Sequence, residues 1–181
     1  MSRLKAIDPS TATGKAKELL DAVKGKLGIV PNMTRVMVAS PVVLESYLSF
    51  SGALSEGLLD AKTREKLALL TAQENSCDYC LSAHTAIGKM VGLNHDEIVA
   101  SREGNDSNPK TTAALNFAKQ VLDAKGQISE DELSVARSAG FSDGEIAEII
   151  AHVALNVFTN YFNIATDVDI DFPKVSHLEV A

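Results

Sequence analysis

Cys77 and Cys80 are the only cysteines in the chain, His84 lies four residues beyond the second, and two acids, Glu65 and Glu74, precede the pair. In a helix running on from Ser76, the two sulfurs and the imidazole fall at i, i+3 and i+7 and share one face. Two thiols within reach of each other, with a base one turn along, make a redox site. The thiolate is the nucleophile, and a free cysteine with a pKa of about 8.5 is mostly protonated at neutral pH. Two features lower that value here. The first turn of a helix offers unpaired amides and a dipole that favours negative charge, and His84 stands where it can accept the proton of Cys80. Cys80 is therefore the expected peroxidatic thiol. Cys77, one turn back, is placed to attack a sulfenic acid on Cys80 and close a disulfide.

Other uses of the pair fit less well. A zinc site needs four ligands, usually from two separated clusters, and there is no second cysteine pair. Cys77 and His84 also lie about 10 Å apart along a straight helix axis, too far to share one small ion. No metal is expected. A thioredoxin-type site needs a strand before the motif, and none precedes it. A pair of inert core thiols is the remaining alternative. Among the acids, Glu65 lies twelve residues before Cys77 beside Ala68, Leu69 and Ala72. It is either a solvated first-turn carboxylate that stabilises a helix N-terminus or an acid held for the site. Glu74 ends the same helix and competes for that role. Tyr79, between the cysteines, either orients a proton relay or packs, and packing is the expectation.

The elements that must position these groups read as helices throughout. Asp8-Pro9 resembles a cap followed by proline and predicts a helix to about Lys26, broken by Gly25, Gly28 and Pro31. A short helix is expected from Met33 to Ala39, and Ser40-Pro41 opens another to about Leu54. Asp60 caps a helix from Ala61 to about Glu74, and Asn75-Ser76 separates it from a cysteine helix running Cys77 to Val91. Gly92-Leu93-Asn94-His95-Asp96-Glu97-Ile98 and Gly140-Phe141-Ser142-Asp143-Gly144-Glu145-Ile146 repeat one pattern: a closing glycine, an Asn or Ser cap, and a Glu at N3. Each marks a turn between helices, by convergent capping chemistry or as a helical-hairpin repeat. Ser101 to Asn108 is expected as a loop. Asn108-Pro109 and the Ser129/Glu132 capping box open two more helices, and a last one spans Asp143 to Thr166. The tail from Asp167, with Pro173, is expected to be extended and to wrap a neighbour. No segment alternates in the manner of a strand. The fold class is all-α.

The last long helix is apolar on most sides, as in the centre of a bundle. His152, Asn156 and Asn163 recur along it, with Asn160 adjoining. Buried polar groups are costly without partners, so this line should face one. A satisfied core or subunit-interface network is the expectation, and the sharper alternative has His152 lining the thiol pocket.

At 181 residues and 45% hydrophobic content the chain is sized for one domain with a sizeable core, and its scarcity of aromatics favours packed helices. A net charge of −7 argues against nucleic acid and against an anionic membrane surface. No apolar run approaches the roughly 18 residues of a spanning helix. The N-terminus has no apolar signal core, so a cytoplasmic setting is expected. There, two cysteines three apart point to catalysis or metal binding rather than a structural bridge.

The spacing Glu65-x11-Cys77-x2-Cys80-x3-His84 on an all-α chain resembles the AhpD-like alkylhydroperoxidase group of the carboxymuconolactone decarboxylase superfamily, in its peroxidase-related members. The motif region covers about residues 60 to 92. The ending Asn160-x2-Asn163-x2-Thr166-x-Val168-Asp169-x-Asp171-Phe172-Pro173 is similar to that subgroup as well. The resemblance implies an AhpD-like bundle of helical hairpins around the Cys-x-x-Cys helix, arranged as a single domain over 1–181. Residues 1–58 would form an N-terminal helical extension, 59–100 the core hairpin, and 108–181 the C-terminal helices and tail. It implies an antioxidant peroxidase that reduces alkyl hydroperoxides through a Cys80 sulfenic acid. Cys77 would resolve that acid and donate a proton, and His84 with Glu65 would form the relay that deprotonates the thiol. Members often carry a histidine where this chain has Tyr79, so the relay here is shorter or routed through water. Tyr79, Glu74 and His152 are the further candidates for binding. Homo-oligomers, trimers or hexamers, are implied too. No flavin or nicotinamide motif is present, so no cofactor is expected and an external thiol or dithiol must recycle the disulfide. The alternatives are a protein disulfide reductase and a non-enzymatic redox-sensing oligomer.

Overall fold

The computed structural model describes residues 2–178. Among the described residues there are nine α-helices and no strand: α1 Gly14–Leu27, α2 Asn32–Met37, α3 Pro41–Ser55, α4 Ala61–Glu74, α5 Asp78–Met90, α6 His95–Arg102, α7 Pro109–Asp123, α8 Glu130–Ser138 and α9 Asp143–Thr166. No helix among these residues is long and apolar enough to cross a membrane.

Helix α4 is the hub, because its sequence from Lys66 to Ala72 is buried on every side. Asp60 starts it by accepting a 2.9 Å hydrogen bond from the Thr63 amide, satisfying one of the donors that every helix N-terminus leaves open. It packs against α5, α6, α7 and α9. Leu67 and Leu70 of α4 meet Leu115, Phe117 and Ala118 of α7 and Ile149 and Val153 of α9 in the largest apolar cluster. Both repeated Gly-cap stretches form complete capping boxes: Asn94 with Glu97 opens α6, and Ser142 with Glu145 opens α9. A second cluster, around Leu20, Met37 and Leu44, joins α1, α2 and α3.

One expectation is corrected. Asp8-Pro9 does not open the first helix. The Asp8 carboxylate accepts from the Ser10 amide and hydroxyl, both at 2.8 Å, and this local turn replaces a cap. Helix α1 therefore starts at Gly14. Over its described length the tail is extended and lies across α5 of its own chain. Val175 N–H donates to Ser82 Oγ at 2.9 Å, His177 N–H donates to Asp78 Oδ1 at 2.9 Å, and the Ser176 carbonyl accepts from Arg102 Nη2 at 2.8 Å.

One buried charge braces α4 from the far side. Lys66, 6% exposed, pairs with Asp106 and lies 3.6 Å from Glu97. Removing one partner of a buried pair leaves an uncompensated charge, which costs about 3–5 kcal/mol. With Glu97 still near, Asp106→Ala is expected at the lower end of that range in urea unfolding. Asp143→Ala, which breaks a solvent-screened pair with Arg137, should leave the urea midpoint nearly unchanged.

Candidate active site

The turn between α4 and α5 sets the cysteines. Ser76 adopts a left-handed conformation, with φ of +53°, and Cys77 N–H reaches back 2.9 Å to the Ala72 carbonyl. The chain reverses sharply there, so Cys77 is not the first residue of the cysteine helix but its N-cap. Its sulfur takes the place of the usual cap oxygen and accepts from the Cys80 amide at 3.3 Å. Both cysteines are free thiols, Cys77 1% and Cys80 3% exposed.

The two thiols are electrostatically unlike. Burial raises the pKa of Cys80, but hydrogen bonding from Cys77 and from Asn163, the charge of His84 and the amide of Asn160 outweigh it, and the thiol is lowered to about 7. Asn163 Nδ2, from α9, donates to Cys80 Sγ at 3.2 Å. Cys77 moves the opposite way, well above the ordinary thiol range, because it gives its proton to the Cys80 sulfur and is itself buried. One sulfur is biased toward the anion, and the other serves as its hydrogen-bond donor.

His84 reaches from α5 to α4, where its Nδ1 lies 2.8 Å from Glu65 Oε2. Burial opposes its charge, but the Glu65 carboxylate beside it and the negative Cys80 beyond raise its pKa overall. Glu65 is thus not a solvated first-turn acid: it is the counter-ion of the imidazole. Tyr47, from α3, faces the same space. Burial, then the negative charges of Cys80 and Glu65, push its hydroxyl up to about 12.

The structure does not bring the other candidates to the sulfurs. Tyr79 turns away: its hydroxyl donates to Asp171 Oδ1 at 2.9 Å and accepts from Met33 N–H at 3.1 Å, while its ring packs edge-on to Phe172. It fastens the tail to α2. Glu74 pairs with Lys119 of α7 at 2.6 Å. His152 is buried beside α4, where burial and the nearby Arg64 lower its pKa against the pull of Glu148 and Glu65. It makes no hydrogen bond to Cys80 or His84, and its Nε2 has no partner among the described residues. Sequence reasoning missed Asn163 as the partner of Cys80, and Tyr47 altogether. The available signal for Asn163 was an uncharged amide in an otherwise apolar helix face.

Residues 41–122, from α3 through most of α7, match the family model described as the Carboxymuconolactone decarboxylase family. An uncharacterized protein of Haemophilus influenzae is 47% identical over 45 residues, 24% of this chain; the match spans 40% of that relative's length. Among solved structures, an AhpD-core, peroxidase-related protein from Ralstonia eutropha JMP134 superposes with a TM-score of 0.82 at 24% identity, covering 94% of this chain and 92% of that one. A peroxidase-related protein from Silicibacter sp. TM1040 gives 0.79 at 24% identity, over 93% and 94% of the two chains. The debrominase Bmp8, in complex with 2,3,4-tribromopyrrole, gives 0.78 at 20% identity, over 93% and 91%. At these identities the likeness to the solved structures is one of fold.

Proposed function

We propose that the chain, whose residues 41–122 match the Carboxymuconolactone decarboxylase family model and whose fold is that of AhpD-like, peroxidase-related proteins, is a thiol-dependent peroxidase that reduces organic hydroperoxides. The observation that carries this reading is the split between the thiols: Cys80 lowered to about 7, Cys77 raised, and a Glu65–His84 pair beside them. The Cys80 thiolate attacks the terminal oxygen of the hydroperoxide. A sulfur–oxygen bond forms, the O–O bond breaks, and the sulfur is oxidised by two electrons as the peroxide is reduced. The departing alkoxide takes the proton of the His84 imidazolium, which Glu65 keeps charged until then, and leaves as the alcohol. Cys77 then attacks the Cys80 sulfenic acid, forming the disulfide and releasing water. An external thiol or dithiol reduces that disulfide, and the returning Cys80 proton restores the imidazolium.

Burial favours this substrate over the disulfide of another protein. With both sulfurs almost fully covered, a slender O–O group is more readily admitted than a folded protein surface. Stopped-flow mixing with cumene hydroperoxide tests the reading, rapid loss of two thiols per hydroperoxide, beginning at Cys80, being expected. Reduction of insulin disulfides without peroxide turnover would favour a disulfide reductase instead. Slow oxidation with a change in oligomer size would favour a redox sensor.

The pH dependence has a definite sign. A lowered pKa at Cys80 means that the thiol is protonated and slow below about 7 and ionised and fast above it. Iodoacetamide labelling should therefore rise through a single midpoint near neutrality, with Cys77 silent there because its own pKa moves upward.

The same reading makes the protein a cytoplasmic homo-oligomer of one AhpD-like unit. Helix α3 buries only Leu44 and exposes Val42 and Phe50, and α9 exposes Ile150, Phe158, Tyr161 and Ile164. Copies of the chain meeting over these residues would cover them.

A further inference from the structure

Beside Cys80 lie two amide side chains whose hydrogen-bonding capacity is only partly used. Asn163, 3% exposed, donates from Nδ2 to both Cys80 Sγ at 3.2 Å and Met33 Sδ at 3.3 Å, so both of its hydrogens are engaged. Its Oδ1 is buried with no partner. Asn160, one turn earlier on α9 and 0% exposed, accepts at Oδ1 from Asn75 Nδ2 at 3.0 Å. That bond fixes which way the amide faces, since turning it over would set two donors against each other. Its Nδ2 is then left buried, close enough to Cys80 to favour the negative sulfur but with no partner in good hydrogen-bond geometry. A buried polar atom left unpaired is costly, because its lost hydration is not replaced. Two of them next to one nucleophile call for a ligand with an acceptor and a donor on a single small group.

A hydroperoxide has that group. Its terminal oxygen carries one hydrogen and two lone pairs. We propose that Asn160 and Asn163 form an amide cradle for the peroxide oxygen that Cys80 attacks. Asn163 Oδ1 receives the O–H, and Asn160 Nδ2 donates to the oxygen itself. As the sulfur–oxygen bond forms and the O–O bond breaks, the transferred oxygen stays in the cradle as the sulfenic acid hydroxyl. The Cys77 attack then releases it as water. Asn75, at the end of α4, is a positioning residue: it touches neither sulfur nor substrate but holds Asn160 in orientation. The cradle rests on the peroxidase reading and adds the residues that select an oxygen-centred electrophile over a carbon-centred one.

The test compares two rates on the same thiol, oxidation by cumene hydroperoxide and alkylation by iodoacetamide. Both scale with the thiolate fraction, so their ratio, read on variants shown to be folded by circular dichroism, is insensitive to changes in the Cys80 pKa. Only the peroxide uses the cradle. Loss of one pre-placed donor of this kind typically costs about 10²-fold or more. Asn160→Ala is expected to lower the ratio by about 10²-fold. Asn160→Asp, which keeps an acceptor for Asn75 but loses the donor toward the sulfur, should lower it comparably. An unchanged ratio in both variants, with wild type reacting normally, overturns the cradle and leaves the peroxidase standing. A wild-type Cys80 that alkylates readily and ignores cumene hydroperoxide overturns both.

Discussion

Cys80→Ser is expected to abolish peroxide consumption, lowering turnover by about 10⁴-fold or more, as removal of a nucleophile does elsewhere. Cys77→Ser is expected to behave differently: it consumes one equivalent of hydroperoxide rapidly and then stalls as the sulfenic acid. Both substitutions are mild for the fold. Cys77 is the N-cap of α5, and serine is among the preferred caps, so the helix start survives. At position 80 a serine hydroxyl can still accept from Asn163 Nδ2, which now donates to sulfur. Peroxide-consumption kinetics on the pre-reduced proteins, followed without added thiol, separate the two. Equal loss in both variants in the first turnover would contradict the assignment of roles.

His84→Ala removes the proton donor for the leaving alkoxide and the positive charge that helps ionise Cys80, and a loss of about 10²–10⁴-fold in the rate of peroxide reduction is expected. Glu65→Gln probes the same chain of charges one step further back. The amide preserves shape but not the charge that raises the pKa of His84. In that variant the imidazole loses its proton at lower pH, Cys80 loses part of its positive neighbour, and the alkylation midpoint moves upward from about 7. A midpoint unchanged by Glu65→Gln would show that the carboxylate does not act through His84.

Local signals made much of this molecule legible in its sequence. The capping boxes at Asn94, Ser129 and Ser142 and the cap at Asp60 fix helix starts by short-range hydrogen bonds, and the structure places them as expected. Asp8-Pro9 misled because the same side-chain chemistry closes a turn as readily as it caps a helix. The contact of Glu65 with His84 was expected through a spacing of known type. The partners on α9 and α3 were harder. Asn163 stands 83 positions from Cys80, and only tertiary packing decides that it, rather than His152, meets the sulfur. Tyr47 carries no local mark of its place beside the site. For the tail, the extended conformation was legible and the surface it covers was not. Asp171 finds Tyr79 and Asn32, and His177 finds Asp78, across distances that no sequence pattern encodes.

Intact-mass and peptide mapping after one equivalent of cumene hydroperoxide test the central claim most directly, with wild type and Cys77→Ser treated side by side. The wild type should lose two hydrogens in a Cys77–Cys80 disulfide, and the variant should gain one oxygen, trapped by dimedone at Cys80. Unmodified sulfurs in both proteins, or oxygen found at Cys77 in a Cys80→Ser chain at the wild-type rate, would contradict the account.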